Sequence, residues 1–418
     1  MQTTPETQER NALRGATKRR GGWLLGPALV AGVAYLDPGN VAVNMSAGAQ
    51  FGYLLVWVLV AANVFAWVVQ YLSAKLGLAT GHSMAEILGQ RITNKVGRSL
   101  YGLQAQFVAI ATDVAEVIGG AVALWILFGV PLVAGAIITG LVSTVLLLVQ
   151  AKRGARTFEF TIISLTLVIV IGFCYGLFLA PPEPGAVLNG LIPRFEGSQS
   201  VLLAASILGA TVMPHAIYAH SSLARDRFGS DTTHSLKHLI KATRVDVTVA
   251  MAIAGSVNLA MLLVAATVLP GVAGTDTLDG AHAAISDALG YSAGLLFAVA
   301  LLASGLASTA VGAYAGSDII GGIFRSNMSL LTRRFITIIP SILVLAVGTD
   351  PTYALILSQV ILSFGIPFAL IPLVYLTSKK DVMGTAVNKP LTQVVGWGIA
   401  AVIIALNVSL ILFETGIV

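Results

Sequence analysis

The chain has 418 residues, of which 56% are hydrophobic and 10% are charged, and its mean hydropathy is +0.87. Soluble domains carry roughly 25% charged residues, so this composition excludes a soluble globular enzyme. The net charge of +5 comes from basic residues in short segments between apolar runs, with no basic patch that would indicate a nucleic-acid partner. The single cysteine, Cys174, excludes a disulfide framework and a cysteine-based metal site. The remaining class is a polytopic membrane protein in a lipid bilayer.

Apolar stretches long enough to cross a bilayer recur along the whole chain. A membrane helix needs about 20 mostly apolar residues, and the sequence has no alternating pattern that would favour strands. We therefore predict an all-α polytopic membrane protein, with a cytoplasmic tail over residues 1–22. The predicted spans are 23–50, 53–77, 100–128, 131–151, 157–180, 200–224, 245–269, 291–322, 334–349, 352–377 and 392–415.

The basic residues predict the orientation of these spans. When the N-terminus is placed inside the cell, Arg194 is the only one of the 24 Lys and Arg residues in an outer connection. Lys and Arg concentrate in cytoplasmic connections. One missed span would move every later connection to the opposite side of the membrane and would destroy this asymmetry. We therefore expect a multi-pass protein of the cell membrane with a cytoplasmic N-terminus and an extracytoplasmic C-terminus.

The first span is interrupted by Asp37, Pro38, Gly39 and Asn40. An ionisable residue at the centre of a membrane helix costs about 2.5–3.5 kcal/mol, and proline removes a backbone hydrogen bond. A simple proline kink would explain Pro38 alone but not the adjacent carboxylate and carboxamide. Non-helical backbone at this depth is tolerated where protein or a water-filled cavity satisfies it. The segment therefore predicts a functional break in the helix.

A second interruption lies in the sixth span, at Met213, Pro214 and His215. Pro38 and Pro214 are 176 residues apart, and this offset carries spans one to five roughly onto spans six to ten. Because five is an odd number, the second copy would be inverted in the membrane. Inverted repeats with paired broken helices are typical of secondary transporters. We expect the repeats to cover residues 23–180 and 200–377, with the span 392–415 outside them.

The two breaks together offer ligands for a divalent cation. Asp37 supplies a carboxylate, Asn40 an amide oxygen and Met213 a thioether, and the unwound backbone near Ala34 and Ala210 supplies carbonyl oxygens. Mg²⁺ and Ca²⁺ prefer all-oxygen shells, whereas a thioether favours softer transition metals. Met213 alone would be read as a packing residue, but its place beside the second break favours a metal ligand. The set predicts a transport site for Mn²⁺ or Fe²⁺.

Other polar residues at membrane depth are candidates for proton transfer. His215 and His220 follow the second break, and Asp113 and Glu116 share one helical face in the third span. An ion pair of these carboxylates with Arg333 or Arg334 is the structural alternative, and those arginines are otherwise read as interfacial anchors. Gln359 is a cavity-facing amide or a helix-packing residue. The carboxylates of three residues near inner span ends are read as interfacial charges: Asp246, Asp318 and Glu159.

With Asp37-Pro38-Gly39-Asn40 in the first span and Met213-Pro214-His215 in the sixth, the chain resembles the Nramp metal-ion transporters, in particular the bacterial proton-coupled manganese transporters. The resemblance extends from Trp23 to Thr415. It implies a LeuT-type 5+5 inverted repeat plus an eleventh transmembrane helix. The implied metal site comprises Asp37, Asn40, Met213 and the Ala210 carbonyl, joined by the Ala34 carbonyl and Gln359. The implied proton route comprises His215, Asp113, Glu116 and Arg334, with Arg333 and His220 as further members.

These observations predict a symporter that carries Mn²⁺, and also Fe²⁺, into the cytoplasm with protons. The metal is the transported substrate, no resident cofactor is expected, and nothing implies an obligatory protein partner. A sodium-coupled amino-acid transporter is the alternative, although Asp37 would repel a substrate carboxylate. An intramembrane metalloenzyme would need a metal-binding His-Glu-x-x-His motif, which the sequence lacks. A passive channel would be recognised by a far larger ion flux.

Overall fold

The computed structural model describes residues 26–153, 155–228, 234–326 and 330–415, so the predicted tail over residues 1–22 lies outside the described residues. Within these ranges the chain forms helices and turns and no strand. The helices are α1 (Pro27–Gly32), α2 (Pro38–Phe51), α3 (Val56–Thr80), α4 (Met84–Arg91), α5 (Lys95–Phe128), α6 (Leu132–Arg153), α7 (Ala155–Leu179), α8 (Pro184–Asn189), α9 (Gly197–Thr211), α10 (Pro214–Phe228), α11 (Leu236–Val268), α12 (Leu278–Leu289), α13 (Tyr291–Ile323), α14 (Leu330–Ala346), α15 (Pro351–Thr377), α16 (Lys380–Met383) and α17 (Pro390–Glu414).

Eight helical segments of the described chain are long and apolar enough to cross a membrane, and three shorter apolar helices accompany them. Each of the eleven predicted spans overlaps one of these eleven segments. The eight are Val56–Thr80, Lys95–Phe128, Glu159–Leu179, Gly197–Phe228, Leu236–Val268, Tyr291–Ile323, Pro351–Thr377 and Pro390–Phe413, and the shorter helices are Pro27–Leu36, Leu132–Leu146 and Arg334–Ala346.

The first break separates α1 from α2. A 3-10 turn over Val33–Leu36 follows α1, and Asp37 then adopts an extended conformation with φ −74° and ψ 164°. The Asp37 carboxylate accepts a hydrogen bond from the Asn40 backbone N–H at 2.9 Å, which caps the N-terminus of α2. Pro38 occupies the first position of α2, where its missing N–H would have no partner in a helix anyway. The segment therefore ends one helix and begins another.

The second break separates α9 from α10. Helix α9 ends at Thr211, Val212 and Met213 are non-helical, and α10 begins at Pro214. Helices α2 and α9 contact each other, and so do helices α1 and α10. This pairing brings the two breaks to the same place in the molecule.

Polar side chains of other helices satisfy the backbone at the first break. Asn258 on α11 donates its amide N–H to the Tyr35 carbonyl at 2.8 Å, and the Ser304 hydroxyl on α13 donates to the Leu36 carbonyl. A carbonyl left unpaired in an apolar interior costs roughly 1–3 kcal/mol. The 3-10 turn is therefore stabilised at membrane depth by α11 and α13.

Helix α5 passes directly against the first break. A Cβ atom on Gly119 would lie 1.9 Å from the Cβ of Pro38, so a larger residue there would collide with the start of α2. Asp113 and Glu116 lie on the same helix, six and three residues before Gly119. Glycine at this position brings the acidic face of α5 close to the break.

Asp246 caps the N-terminus of α1, the first half of the first broken helix. Its carboxylate on α11 accepts hydrogen bonds from the backbone N–H groups of Ala28 at 2.9 Å and Gly26 at 3.2 Å. Only 2% of Asp246 is exposed, so its interpretation as an interfacial charge is wrong. The N-terminus of α1 needs acceptors for its free N–H groups, and Asp246 supplies them from a neighbouring helix.

Candidate metal site between the two breaks

One side-chain amide links the two breaks. The Asn40 Nδ2 atom donates to Asp37 Oδ1 at 2.7 Å and to the Ala210 carbonyl oxygen at 2.8 Å. Asp37 is fully buried and Asn40 is 1% exposed. The second carboxylate oxygen, Asp37 Oδ2, has no hydrogen-bond partner among the described residues. A buried carboxylate with a free oxygen therefore lies beside a helix-end carbonyl from the opposite repeat.

This arrangement suits a cation. Two oxygens converge on one amide nitrogen, and the Asn40 carboxamide can turn about its terminal bond to present its oxygen instead. The groups around the amide decide which of its two ends faces Asp37, so either the nitrogen or the oxygen can face inward. With the oxygen turned inward, Asp37, Asn40 and Ala210 offer three oxygen ligands and one negative charge.

Gln359 on α15 lies against both breaks. A Cβ on Gly39 would lie 1.9 Å from Gln359 Nε2, and a Cβ on Gly209 would lie 1.9 Å from the Gln359 carbonyl oxygen. Its Nε2 donates to the Ser358 Oγ of its own helix at 3.0 Å, and its Oε1 has no partner among the described residues. The Gln359 amide therefore lies against the first break with an oxygen that has no hydrogen-bond partner among the described residues, and its part in metal binding stays a prediction.

Met213 and Ala34 complete the predicted metal set. Both are fully buried, Met213 in the gap between α9 and α10 and Ala34 in the 3-10 turn before Asp37. Their part in metal binding stays a prediction. No group of three or more His, Cys, Asp and Glu side chains that could hold a metal occurs in the described part of the chain. A metal between the breaks would therefore be bound by one carboxylate and neutral donors, which favours release as well as binding.

A buried ion pair lies further along α5. Arg334 Nη1 on α14 donates to Asp113 Oδ1 at 2.9 Å, and its Nη2 donates to the Ser143 hydroxyl on α6 at 2.6 Å. Only 3% of Arg334 and 2% of Asp113 are exposed. This is the ion pair that the sequence offered as the alternative to proton transfer, with Arg334 as the partner. Arg333 lies in the same helix, but its side chain is outside the described part of the structure.

Glu116 lies one helical turn from Asp113 and is fully buried. Neither of its carboxylate oxygens has a hydrogen-bond partner among the described residues. A Cβ on Gly312 would lie 2.7 Å from Glu116 Oε2, so glycine on α13 makes room for the carboxylate. Glu116 is therefore a second buried carboxyl group between the ion pair and the Gly119 contact with Pro38.

The two histidines of α10 contact polar residues that the sequence analysis did not single out. His215 Nδ1 lies 3.1 Å from the Thr112 hydroxyl of α5, and His220 Nδ1 lies 2.6 Å from Gln70 Oε1 of α3. Gln70 Nε2 also donates to the Tyr35 hydroxyl, beside the first break. Gln70 could have been identified from the sequence as a polar amide within an apolar span, which is the feature that identified Gln359.

Comparison with protein-family models matches residues 28–413 to "Natural resistance-associated macrophage protein-like", the Nramp model. The chain is 57% identical over 390 residues to the divalent metal cation transporter MntH of Mycobacterium tuberculosis, a match that covers 93% of this chain and 91% of that protein. These relatives are named as transporters and not as enzymes.

Solved structures agree with this relationship. The structure of the Eremococcus coleocola manganese transporter in complex with an aromatic bis-isothiourea substituted compound matches with a TM-score of 0.82 and 29% identity, covering 94% of this chain and 87% of that chain. MhsT in complex with L-phenylalanine matches with a TM-score of 0.60 and 14% identity, over 93% of this chain and 98% of that chain, which is a likeness of fold alone. The fold is therefore the LeuT-type inverted repeat that the family resemblance implied, and it agrees with the inverted repeat that the paired breaks predicted.

Proposed function

The chain belongs to the Nramp family, and from this premise we propose that it imports Mn²⁺, and also Fe²⁺, into the cytoplasm by proton symport. The observation that carries the proposal is the Asn40 amide, which joins the only carboxylate of the two breaks to the Ala210 carbonyl of the opposite repeat. A cation bound there is held by both halves of the molecule. Rocking of one repeat against the other can then expose it to either side of the membrane.

The choice of a soft dication rests on the donor set. Asp37 contributes one charge, Asn40, Ala210, Ala34 and Gln359 contribute neutral oxygens, and Met213 contributes sulfur. Thioether sulfur favours transition metals over Ca²⁺ and Mg²⁺, and few charged ligands favour release. The names of two relatives, a divalent metal cation transporter and a manganese transporter, support the same substrate class.

The proton route of the proposal runs along α5. Neither carboxylate oxygen of Glu116 has a hydrogen-bond partner among the described residues, and Asp113 one turn away is paired with Arg334, so one of the two negative charges is balanced. His215 contacts the same helix through Thr112, and its buried Nε2 atom has no partner in the described part of the chain. These groups, with His220 and Arg333 as further members, can pass a proton without occupying the metal ligands.

The orientation of the proposal follows from the basic residues. With the N-terminus in the cytoplasm and the C-terminus outside, the inner connections carry almost all the Lys and Arg of the chain. Symport in the plasma membrane then delivers metal to the cytoplasm. The metal is substrate rather than cofactor, and the transport cycle needs no partner protein.

The test is Mn²⁺ uptake into proteoliposomes that contain an internal pH dye. We expect an inward proton gradient to accelerate uptake and Mn²⁺ addition to acidify the lumen, because the two ions move together. Asp37→Ala should abolish both signals, and Glu116→Gln should reduce acidification more than metal uptake. Mn²⁺ uptake without any proton movement would contradict symport, and no uptake by protein that inserts correctly would contradict metal transport.

The sodium-coupled amino-acid alternative predicts different ligands. A thermal unfolding scan of the purified protein separates the two functions, because a ligand stabilises the state that binds it. We expect Mn²⁺ to raise the unfolding temperature and leucine with Na⁺ to leave it unchanged. The opposite result would favour the alternative.

A further inference from the structure

Helix α15, which carries Gln359, contains two prolines inside its length, Pro367 and Pro372. Proline has no backbone N–H, so each one leaves the carbonyl four residues earlier without its helical partner. These carbonyls belong to Ser363 and Phe368. Both lie in a segment that the fold places within the membrane, where an unpaired carbonyl is costly.

Each of the two carbonyls has a replacement donor from another helix. Asn407 Nδ2 on α17 donates to the Ser363 carbonyl at 2.9 Å, and the Tyr101 hydroxyl on α5 donates to the Phe368 carbonyl at 2.7 Å. Asn407 also accepts from the Ser363 hydroxyl through Oδ1 at 2.7 Å, so its amide is held by both ends. Two side chains thus supply the two hydrogen bonds that Pro367 and Pro372 remove.

The Asn407 contact lies directly behind the metal site. Ser363 is one helical turn from Gln359, and the Ser363 and Gln359 backbones both approach Gly209, the residue before Ala210. Asn407 is 4% exposed and Ser363 is fully buried, so water does not reach the bond in this conformation. A change of direction at Pro367 would move Gln359 relative to Gly39 and Asp37.

The Tyr101 contact lies on the other side of Pro367 from Gln359. The Tyr101 hydroxyl also lies 2.7 Å from the Tyr218 hydroxyl of α10, so this contact joins α15 to the inner half of the second broken helix. Phe368 is nine residues from Gln359, whereas Ser363 is four, so we expect bending at Pro372 to displace Gln359 less than bending at Pro367. The two prolines therefore divide α15 into segments with different neighbours.

We propose that Asn407 is a positioning residue for metal binding, which holds Gln359 at the two breaks by donating the hydrogen bond that Pro367 cannot give to Ser363. This inference rests on the proposed metal transport. It assigns a role to α17, which lies outside the inverted repeat and contributes no ligand. Tyr101 donates the hydrogen bond that Pro372 cannot give to Phe368, and it positions the C-terminal part of α15 rather than Gln359.

The test compares Mn²⁺ uptake kinetics of matched variants in proteoliposomes. Asn407→Leu leaves the Ser363 carbonyl unpaired, and we expect the KM for Mn²⁺ to rise about tenfold with a smaller change in the maximal rate. Tyr101→Phe should instead lower the maximal rate and leave KM within about twofold. Ser409→Ala, whose hydroxyl bonds within α17, is the control on the same helix.

The decisive step is rescue by restoring the missing N–H. Pro367→Ala returns the helical partner of Ser363, so the double variant with Asn407→Leu should recover a KM near that of Pro367→Ala alone. Pro372→Ala returns the partner of Phe368 and should not rescue Asn407→Leu. Equal rescue by both alanines, or rescue by neither, would overturn the proposal.

Two outcomes distinguish a failure of the role proposed for Asn407 from a failure of the proposed transport function. Wild-type protein that transports no Mn²⁺ would overturn the proposed function, whereas wild-type transport with an unchanged Asn407→Leu KM would overturn only the role of Asn407. If Asn407→Leu is not recovered folded, the comparison uses the double variants. The proposal then requires that the double variant Pro367→Ala, Asn407→Leu is recovered folded. The double variant Pro372→Ala, Asn407→Leu must remain defective in folding or in its KM for Mn²⁺.

Discussion

The two breaks differ in how their backbone is satisfied and in what they offer a substrate. At the first break, Asn258 and Ser304 donate to the Tyr35 and Leu36 carbonyls, and the only carboxylate, Asp37, begins the next helix. At the second break the helix stops for two residues, and the Ala210 carbonyl bonds to an amide of the other repeat. The first break offers the Asp37 carboxylate on a backbone that other helices hold by hydrogen bonds, whereas the second break offers neutral donor atoms.

This difference assigns separate tasks to the two halves of the site. A charged ligand buried at membrane depth must stay in one place, because an uncompensated charge there is costly. A neutral carbonyl and a thioether can move away at little electrostatic cost. We infer that the first break sets affinity and the second sets selectivity, and the following predictions test that division.

The largest effect should come from Asp37→Ala. The proposed metal site loses its only charged group, which is worth roughly 3 kcal/mol or more in a buried position, a factor above about 100 in uptake efficiency. We expect Mn²⁺ uptake to fall to background while the protein still inserts and elutes as a single species. Undiminished uptake would show that the charge at the first break is not used.

Gly119→Ala should have the next largest effect. The new Cβ would lie 1.9 Å from the Pro38 Cβ, and overpacking of this kind costs typically about 1–3 kcal/mol. We expect a lower unfolding temperature and reduced uptake, because α5 must withdraw from the first break. Gly97→Ala is the control on the same helix, since its Cβ would have no neighbour closer than 3.9 Å.

Asn258→Leu should destabilise the first break without changing any residue of the proposed metal site. The Tyr35 carbonyl loses its donor, which we expect to lower the free energy of unfolding by roughly 1–3 kcal/mol. Thr211→Val at the second break is the matched control, since the Thr211 hydroxyl has no partner among the described residues. Denaturation of both variants, followed in parallel, measures the difference. Equal losses would mean that the hydrogen bond from Asn258 to the Tyr35 carbonyl does not stabilise the first break.

Met213→Ala should give the smallest effect on Mn²⁺ uptake and a clear effect on selectivity. We expect discrimination against Ca²⁺ and Mg²⁺ to fall about tenfold, equal to roughly 1.4 kcal/mol, because the soft donor is lost. Met213→Leu keeps the volume and removes the sulfur, so it should lose selectivity to the same extent. If leucine preserves selectivity, the side chain acts through packing and the sulfur argument is wrong.

The sequence predicted the parts of the fold that depend on local pattern. The span predicted at 352–377 is observed as Pro351–Thr377, because apolar length and flanking polar residues limit a membrane helix. Both breaks were predicted because a proline next to Asp37 or Met213 at membrane depth has no simple packing explanation. The orientation of the spans in the membrane, with a cytoplasmic N-terminus and an extracytoplasmic C-terminus, stays a prediction.

Long-range partners were beyond prediction from one sequence. Nothing local indicates that Asn258 would bond Tyr35, or that Asn407 would bond Ser363. The choice of Arg334 as the partner of Asp113 depended on side-chain direction around α14, which spacing alone left open. Asp246 was interpreted as an interfacial charge because it lies near a span end, and nothing in the sequence indicates that its buried carboxylate would bond the N-terminus of α1.

A structure solved in Mn²⁺, with anomalous scattering recorded at the manganese edge, tests the central claim most directly. The account predicts one strong peak between the two breaks, within coordination distance of Asp37, the Asn40 oxygen, the Ala210 carbonyl and the Met213 sulfur. A peak elsewhere, or one between the breaks with the Met213 side chain turned away from it, would contradict the account.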